Sequence, residues 1–161
     1  MPTVAPVPDT PEPPPIDDER ELLLAWLGHL RVSILAKLED LTEDQARWTP
    51  DGALISLLGI VNHLTHVEWR WLDGTMLGAD VGRSEAEFHP GPELTVPEAV
   101  ARYRARAAAT EEMSRSMPVT QLASDGSGRD LRWVLLHLIE ETARHAGHAD
   151  ATRELLDGTT G

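Results

Sequence analysis

Apolar residues recur at intervals of three and four along four stretches of the chain, which is the pattern of amphipathic helices that bury one face. These stretches cover residues 17–41, 54–77, 95–117 and 130–156. The polar stretch 81–94, which contains glycine and proline, predicts an unusually long connection between the second and third helices. No stretch has a convincing strand pattern. The sequence therefore predicts an all-α fold, a four-helix bundle.

Short capping sequences mark helix ends within this pattern. Thr42 and Gln45 have the Thr-x-x-Gln form of a capping box, which predicts a short helical turn after the first helix. Thr95 and Glu98 have the equivalent form at the start of the third helix. Gly158 follows the fourth helix, where glycine commonly ends a helix.

The first 16 residues have a different composition from the rest of the chain. They contain more than half of the 12 prolines and only two charged residues. Such a segment favours extended conformations and is expected to be disordered. We therefore predict a disordered segment over 1–16 and one bundle domain over 17–161.

Composition narrows the classes of partner. The chain has 27 acidic and 14 basic residues, a formal net charge of −13, which disfavours nucleic acids and anionic membrane surfaces. It has no cysteine, so any thiol chemistry needs an external thiol. No export signal opens the sequence, and no apolar run reaches about 18 residues. We expect a soluble, cytoplasmic protein.

Histidine and glutamate side chains occur together on two of the predicted helices. Glu141, His145 and His148 lie on the fourth helix, and His63 and His66 lie on the second. Residues four apart share a helix face, so a Glu and His pair can join a His from a facing helix around one metal ion. Three protein ligands and an open fourth position are typical of catalytic zinc.

Helical phase, at about 100° per residue, ranks the candidates on the fourth helix. His145 lies in the apolar stripe, and Glu141 lies about 40° from it. His148 and His137 lie about 60° and about 80° away, toward the solvent side. The phase therefore favours Glu141 and His145 as ligands. A salt bridge between Glu141 and Arg144 is the alternative that needs no metal.

On the second helix, phase favours one histidine over the other. His63 borders the apolar stripe at about 40° to 60°, whereas His66 lies about 60° further out. His63 is therefore the better ligand. Trp69 and Trp71 cannot both face one core, so one of them is expected to line a pocket or an interface. A plain bundle with surface histidines remains the alternative reading.

Three segments together resemble a known family. LTEDQARWTP, SLLGIVNHLTHVEWRWL and WVLLHLIEETARHAGHAD are similar to segments of the DinB/YfiT-like superfamily of four-helix metalloproteins, and most similar to its actinobacterial branch of small proteins. The resemblance covers about residues 19–156. It implies a four-helix fold with a long connection between helices 2 and 3, and a divalent metal. Its ligand positions fall on His63, Glu141 and His145.

The ligand set departs from the commonest one in that superfamily. Many members have His at the position of Glu141, whereas this chain has the His, Glu, His set of mycothiol-dependent maleylpyruvate isomerase, whose N-terminal domain is similar in fold. The resemblance therefore leaves the metal open, with zinc (Zn) first and nickel (Ni), iron (Fe) or manganese (Mn) after it. His148 stands where many relatives have Gln, and it either replaces a ligand or supports one.

The resemblance also implies an activity. We predict a metal-dependent thiol S-transferase that joins mycothiol, or a similar thiol, to an electrophilic small molecule. His66 and His148 are candidates for proton transfer or for orienting a ligand, and Arg70 is a candidate for binding an anionic group. The alternatives are a metal-dependent hydrolase and a non-catalytic metal-binding or stress-response bundle, which would act as a homodimer.

Overall fold

The computed structural model describes residues 10–51 and 55–160, and within these residues the fold is all-α, as predicted. Four long helices and one short one form it, and the described residues contain an isolated bridge but no strand. The helices are α1 (Glu19–Ala36), α2 (Glu43–Arg47), α3 (Leu57–Trp69), α4 (Val96–Arg115) and α5 (Leu131–Asp157). Of the proline-rich segment predicted to be disordered, residues 1–9 lie outside the described residues.

The four long helices pack as two pairs. α1 lies against α5, α3 lies against α4, and α3 also contacts α5. The buried apolar residues form two clusters, one around Leu58 and Tyr103 and the other around Leu27 and Leu138. On α5, the last residue of one cluster is Ile139 and the first of the other is Ala146. The stretch of α5 between the clusters therefore carries polar side chains into the bundle.

The first helix is shorter than the prediction of 17–41. α1 ends at Ala36, and hydrogen-bonded turns follow it, with Asp40 at a φ of 60°. Leu38 is buried and Leu41 packs against the core, although neither belongs to the helix. The predicted boundary was wrong because the apolar spacing continues through turns that still face the core.

Both predicted capping boxes are present. The Thr42 hydroxyl accepts a hydrogen bond from the backbone N–H of Gln45, and the Gln45 side chain accepts one from the backbone N–H of Thr42. Thr95 and Glu98 make the same exchange at the start of α4. α5 ends at Gly158, which adopts a φ of 79° in the left-handed region. These local signals placed the helix ends correctly because they act through neighbouring residues.

The second predicted helix, 54–77, proves to be two kinds of helix in series. α3 begins at Leu57, where the Ser56 side chain caps it, and residues 52–54 lie outside the described residues. From Arg70 to Met76 the helix widens into a π-helical segment. Such segments change which side chains face a given side, and they are frequent at functional sites.

The long connection between α3 and α4 contains a short 3-10 turn, Glu85–Phe88, that packs on α3. Its backbone approaches so closely that a Cβ on Gly59 would lie 2.3 Å from the Phe88 carbonyl oxygen. The side-chain amide of Asn62 donates a hydrogen bond of 2.8 Å to the Glu87 carbonyl. The crossover is therefore anchored on α3 beside its histidines. Among the described residues, no helix is long and apolar enough to cross a membrane.

Candidate metal centre

α3 and α5 bring His63, Glu141 and His145 together inside the bundle. One donor atom from each residue lies within 4.8 Å of the other two. Oε1 of Glu141 lies 3.2 Å from Nε2 of His63 and 3.3 Å from Nε2 of His145. The three residues that helical phase selected thus converge on one point.

Burial sets the protonation of these groups. His63 and His145 are 3% and 5% exposed, and burial lowers the pKa of both imidazoles. Burial also raises the pKa of the half-buried Glu141 carboxyl, but the two imidazoles that face it have the larger combined effect, and the net shift is downward. At neutral pH the cluster therefore consists of two neutral imidazoles and one carboxylate, the forms in which these residues bind metals.

The donor set fits a divalent cation. Neutral imidazole nitrogens and a carboxylate oxygen are the donors that zinc and related metals take in proteins, and a set of three leaves a position open. Nδ1 of both His63 and His145 is buried without a hydrogen-bond partner among the described residues. A cation on the Nε2 side would hold each ring by the nitrogen that faces the cluster.

The salt-bridge alternative for Glu141 has little support in the geometry. Arg144 is 60% exposed in its side chain and pairs closely with Glu140. Its Nη1 lies 4.0 Å from Oε2 of Glu141, the limit of an ion pair, while Oε1 of Glu141 faces the two imidazoles. An exposed pair at this distance contributes little. Arg144 therefore does not account for the position of Glu141.

The other predicted site residues lie at different distances from the cluster. His148 is exposed, and its ring centre lies 5.4 Å from that of His145. Nδ1 of His66 lies 2.8 Å from the carbonyl oxygen of Asn62, and His66 lines a separate cavity on the crossover side. Arg70 lies nearer, in the π-helical segment beside the cluster. The structure thus places His66 apart from the three donors.

A cavity of about 560 Å³ opens beside the cluster. His63 and Glu141 form part of its wall, so two of the three donor residues are reached from it. The other lining residues come from the end of α3, the π-helical segment, the connections and α5: Val67, Arg70, Trp71, Gly74, Thr75, Ala79, Asp80, Val81, Arg83, Asp125 and His137. The cavity gives a small molecule a place next to the donors.

Aromatic rings form one side of the cavity. Trp71 lines it, whereas Trp69 is 43% exposed, so the two tryptophans divide as predicted. The His137 ring lies 4.4 Å from Trp71 and stacks on Trp133 at 5.4 Å. Helical phase predicted that His137 faces solvent. In the structure, Trp71 of the π-helical segment packs against His137, and His137 is half-buried.

Glu87 is a site residue that the sequence reading missed. It lies in the crossover turn, is 4% exposed, and places Oε1 3.5 Å from Nδ1 of His63. Its Oε2 pairs with Nη1 of Arg70 at 2.7 Å. Nothing in the crossover sequence signals this position, because the segment has no helical period from which to derive a direction.

A family comparison agrees with this fold. Residues 22–158 match the family model described as mycothiol-S-transferase. That family is DinB/YfiT-like, which confirms the resemblance seen in the sequence. A comparison with curated proteins found no match. Because the family match covers most of the chain, the protein belongs to the mycothiol-S-transferase family.

Proposed function

We propose that this protein is a divalent-metal-dependent S-transferase that joins mycothiol, or a related low-molecular-weight thiol, to an electrophilic small molecule. The observation that carries the proposal is the convergence of His63, Glu141 and His145 beside a cavity whose wall includes His63 and Glu141. Membership of the mycothiol-S-transferase family supports the choice of thiol.

His63, Glu141 and His145 would hold the metal. Zinc suits two imidazoles and a carboxylate best, and nickel, iron and manganese follow. A divalent metal held there would supply the positive charge that lowers the pKa of a bound thiol and favours its thiolate at neutral pH. The chain itself has no cysteine, so the reacting sulfur comes from the co-substrate.

The cavity has the size and polarity of a small-molecule site. Its volume of about 560 Å³ lies within the usual range of small-molecule sites, roughly 300–1,000 Å³. Arg83 supplies positive charge in its wall, Arg70 is paired there with Glu87, and Asp80 and Asp125 supply negative charge. Trp71 adds an apolar surface against which the electrophile can lie.

In the transfer, the thiol loses its proton and its sulfur forms a bond to an electrophilic carbon. That carbon gives up a leaving group with its electron pair or, if it belongs to an activated double bond, the adjacent carbon takes up a proton. We assign the proton transfer to an imidazole nitrogen of His137, because His137 lines the cavity and is not one of the three donors. Binding in the same cavity would hold the two reactants close together, which favours bond formation.

The first test is metal analysis of protein purified without a histidine tag. Wild type should hold close to one divalent ion per chain, and His63→Ala and Glu141→Ala should lose it. Glu140→Ala is the matched control, since Glu140 is the exposed neighbour of Glu141 on the same helix and should leave the metal in place. A folded wild type that takes up no divalent metal from solution would overturn the proposal.

The second test separates an enzyme from a protein that only binds metal. Metal-loaded protein is mixed with mycothiol and a chromogenic chloronitrobenzene, and formation of the thioether is followed. We expect turnover that disappears after chelation and returns when metal is added back. Metal binding without thiol consumption would instead indicate the non-catalytic bundle, and hydrolysis of a substrate without thiol would indicate the hydrolase.

A further inference from the structure

The crossover turn contacts the His63 ring with two successive residues. Phe88 stacks on the ring, with centres 4.2 Å apart and planes at 24°. Glu87 places Oε1 3.5 Å from Nδ1 of the same ring. His63 therefore has its Nε2 edge toward Glu141 and its Nδ1 edge toward a second carboxylate.

Contacts with Arg70 and Asn62 fix the orientation of Glu87. Oε2 is held by Nη1 of Arg70 at 2.7 Å, and the Glu87 backbone carbonyl accepts the hydrogen bond from Asn62. Oε1 is buried and has no hydrogen-bond partner within 3.5 Å among the described residues. One oxygen is thus committed to Arg70 and the other is directed at His63.

A carboxylate faces each nitrogen of the His63 ring, Glu141 at Nε2 (3.2 Å) and Glu87 at Nδ1 (3.5 Å). Without a metal, the closer Glu141 oxygen competes for the ring proton. A cation held with Glu141 and His145 would take the Nε2 lone pair, so the proton would then lie on Nδ1. Oε1 of Glu87 is the acceptor beside Nδ1, and a contraction of a few tenths of an ångström brings the two atoms to a normal hydrogen-bond distance.

We propose that Glu87 is a positioning residue that accepts a hydrogen bond from Nδ1–H of His63 when Nε2 binds the metal held with Glu141 and His145. This inference rests on the proposed metal function. Histidine ligands of metals usually donate their other N–H to a carboxylate or carbonyl, and loss of that acceptor typically weakens metal binding about 10–100-fold. The long crossover thus has a role in the site, because it delivers this carboxylate to α3.

Charge balance agrees with this assignment. The Arg70 guanidinium pairs with the Glu87 carboxylate at 2.7 Å, so Glu141 carries the one carboxylate charge among the three donors. A second unpaired carboxylate so near would cost free energy in the metal-free protein. The ion pair with Arg70 offsets this cost.

The test measures zinc affinity by competition with a chromogenic chelator in Glu87→Ala, Glu87→Gln and Glu85→Gln. Glu85 lies exposed in the same turn, so Glu85→Gln controls for changes in the crossover and should leave affinity unchanged. We expect Glu87→Ala to bind zinc about 10–100-fold more weakly. Glu87→Gln should lose less, because the amide oxygen can still accept from Nδ1.

Heteronuclear NMR of the histidine side chains supplies the readout that a purely structural role would not move. In zinc-loaded wild type the proton of His63 should reside on Nδ1 with the downfield proton shift of a hydrogen-bonded N–H, and zinc-loaded Glu87→Ala should lose this downfield shift. Circular dichroism must show that the variants remain folded; if Glu87→Ala unfolds, Glu87→Gln decides the question.

Failure of the role proposed for Glu87 and failure of the proposed metal function give different results. If wild type binds zinc and folded Glu87 variants bind it equally well, or if the Nδ1–H shift of zinc-loaded His63 is the same in wild type and Glu87→Ala, the role of Glu87 is wrong and the metal function stands. If wild type binds no divalent metal, the proposed function fails first and the inference falls with it.

Discussion

Oε1 of Glu141 lies 3.2 Å from Nε2 of His63, although 78 residues separate the two in the chain. The contact joins α3 to α5 between the two apolar clusters of the core. Nε2 of His145 approaches the same oxygen at 3.3 Å. A carboxylate oxygen that faces two imidazole nitrogens is a donor arrangement for a divalent cation, which gives the following predictions.

Zinc should stabilise the folded protein through this cluster. At free zinc about 100 times its Kd, linkage gives about 2.7 kcal/mol, or a rise in Tm of roughly 5–10 °C for a domain of this size. His145→Ala should remove most of this rise. His89→Ala, which removes an exposed histidine elsewhere, should keep it. Thermal melts with zinc and with chelator measure the rise in Tm of both variants. A rise in His145→Ala equal to that of wild type would contradict the assignment of His145 as a ligand.

Glu141→Gln should separate metal binding from stability. Glutamine has nearly the same shape and can still accept a hydrogen bond, so the free energy of unfolding of the metal-free protein should change by less than about 1 kcal/mol. Zinc affinity should fall strongly, because an amide oxygen is a much weaker ligand than a carboxylate. Urea titration and chelator competition provide the two values. A large loss of metal-free stability would show that Glu141 has a structural role.

Gly59→Ala should disturb the crossover. The added Cβ would lie 2.3 Å from the Phe88 carbonyl oxygen, so the turn must move away from α3. We expect a loss of about 1–3 kcal/mol in the free energy of unfolding, together with weaker zinc binding. Gly28→Ala is the matched control, because nothing lies within 4 Å of its Cβ position. Because Gly28 lies within α1, Gly28→Ala should raise the free energy of unfolding by about 0.5–1 kcal/mol.

Glu68→Ala should destabilise the bundle through Arg31. The two side chains are buried and joined by two hydrogen bonds of 2.8 Å. Removal of one partner leaves a buried guanidinium, which typically costs about 3–5 kcal/mol, and we expect the lower end because Glu111 also reaches Arg31 at 3.1 Å. Chemical unfolding measures this loss. The double variant Arg31→Met/Glu68→Leu should recover much of the lost stability, and failure to do so would imply a further role for the pair.

Trp71→Leu should impair use of the cavity without affecting the metal. Trp71 lines the cavity, so its loss should raise the KM for the thiol or the electrophile several-fold while metal content stays at the wild-type value. Trp69→Leu is the control, because Trp69 is 43% exposed and does not line that cavity. Unchanged KM values in Trp71→Leu would place the substrates elsewhere.

The sequence by itself determined the helices and the three converging side chains. Periodic apolar positions and local capping groups act over a few residues, so they could be read directly from the chain. Helix geometry fixes which residues share a face, and phase therefore selected Glu141 and His145 on one helix and His63 on the other. The family match over residues 22–158 agrees with that reading.

Only the tertiary structure decided what surrounds those side chains. The crossover has no period, so the burial of Glu87 against His63 depends on how the turn packs over Gly59. The π-helical segment shifts the helical phase, and it brings Trp71 beside His137 in the cavity. These positions follow from contacts between segments distant in the chain, and no local pattern in the sequence records such contacts.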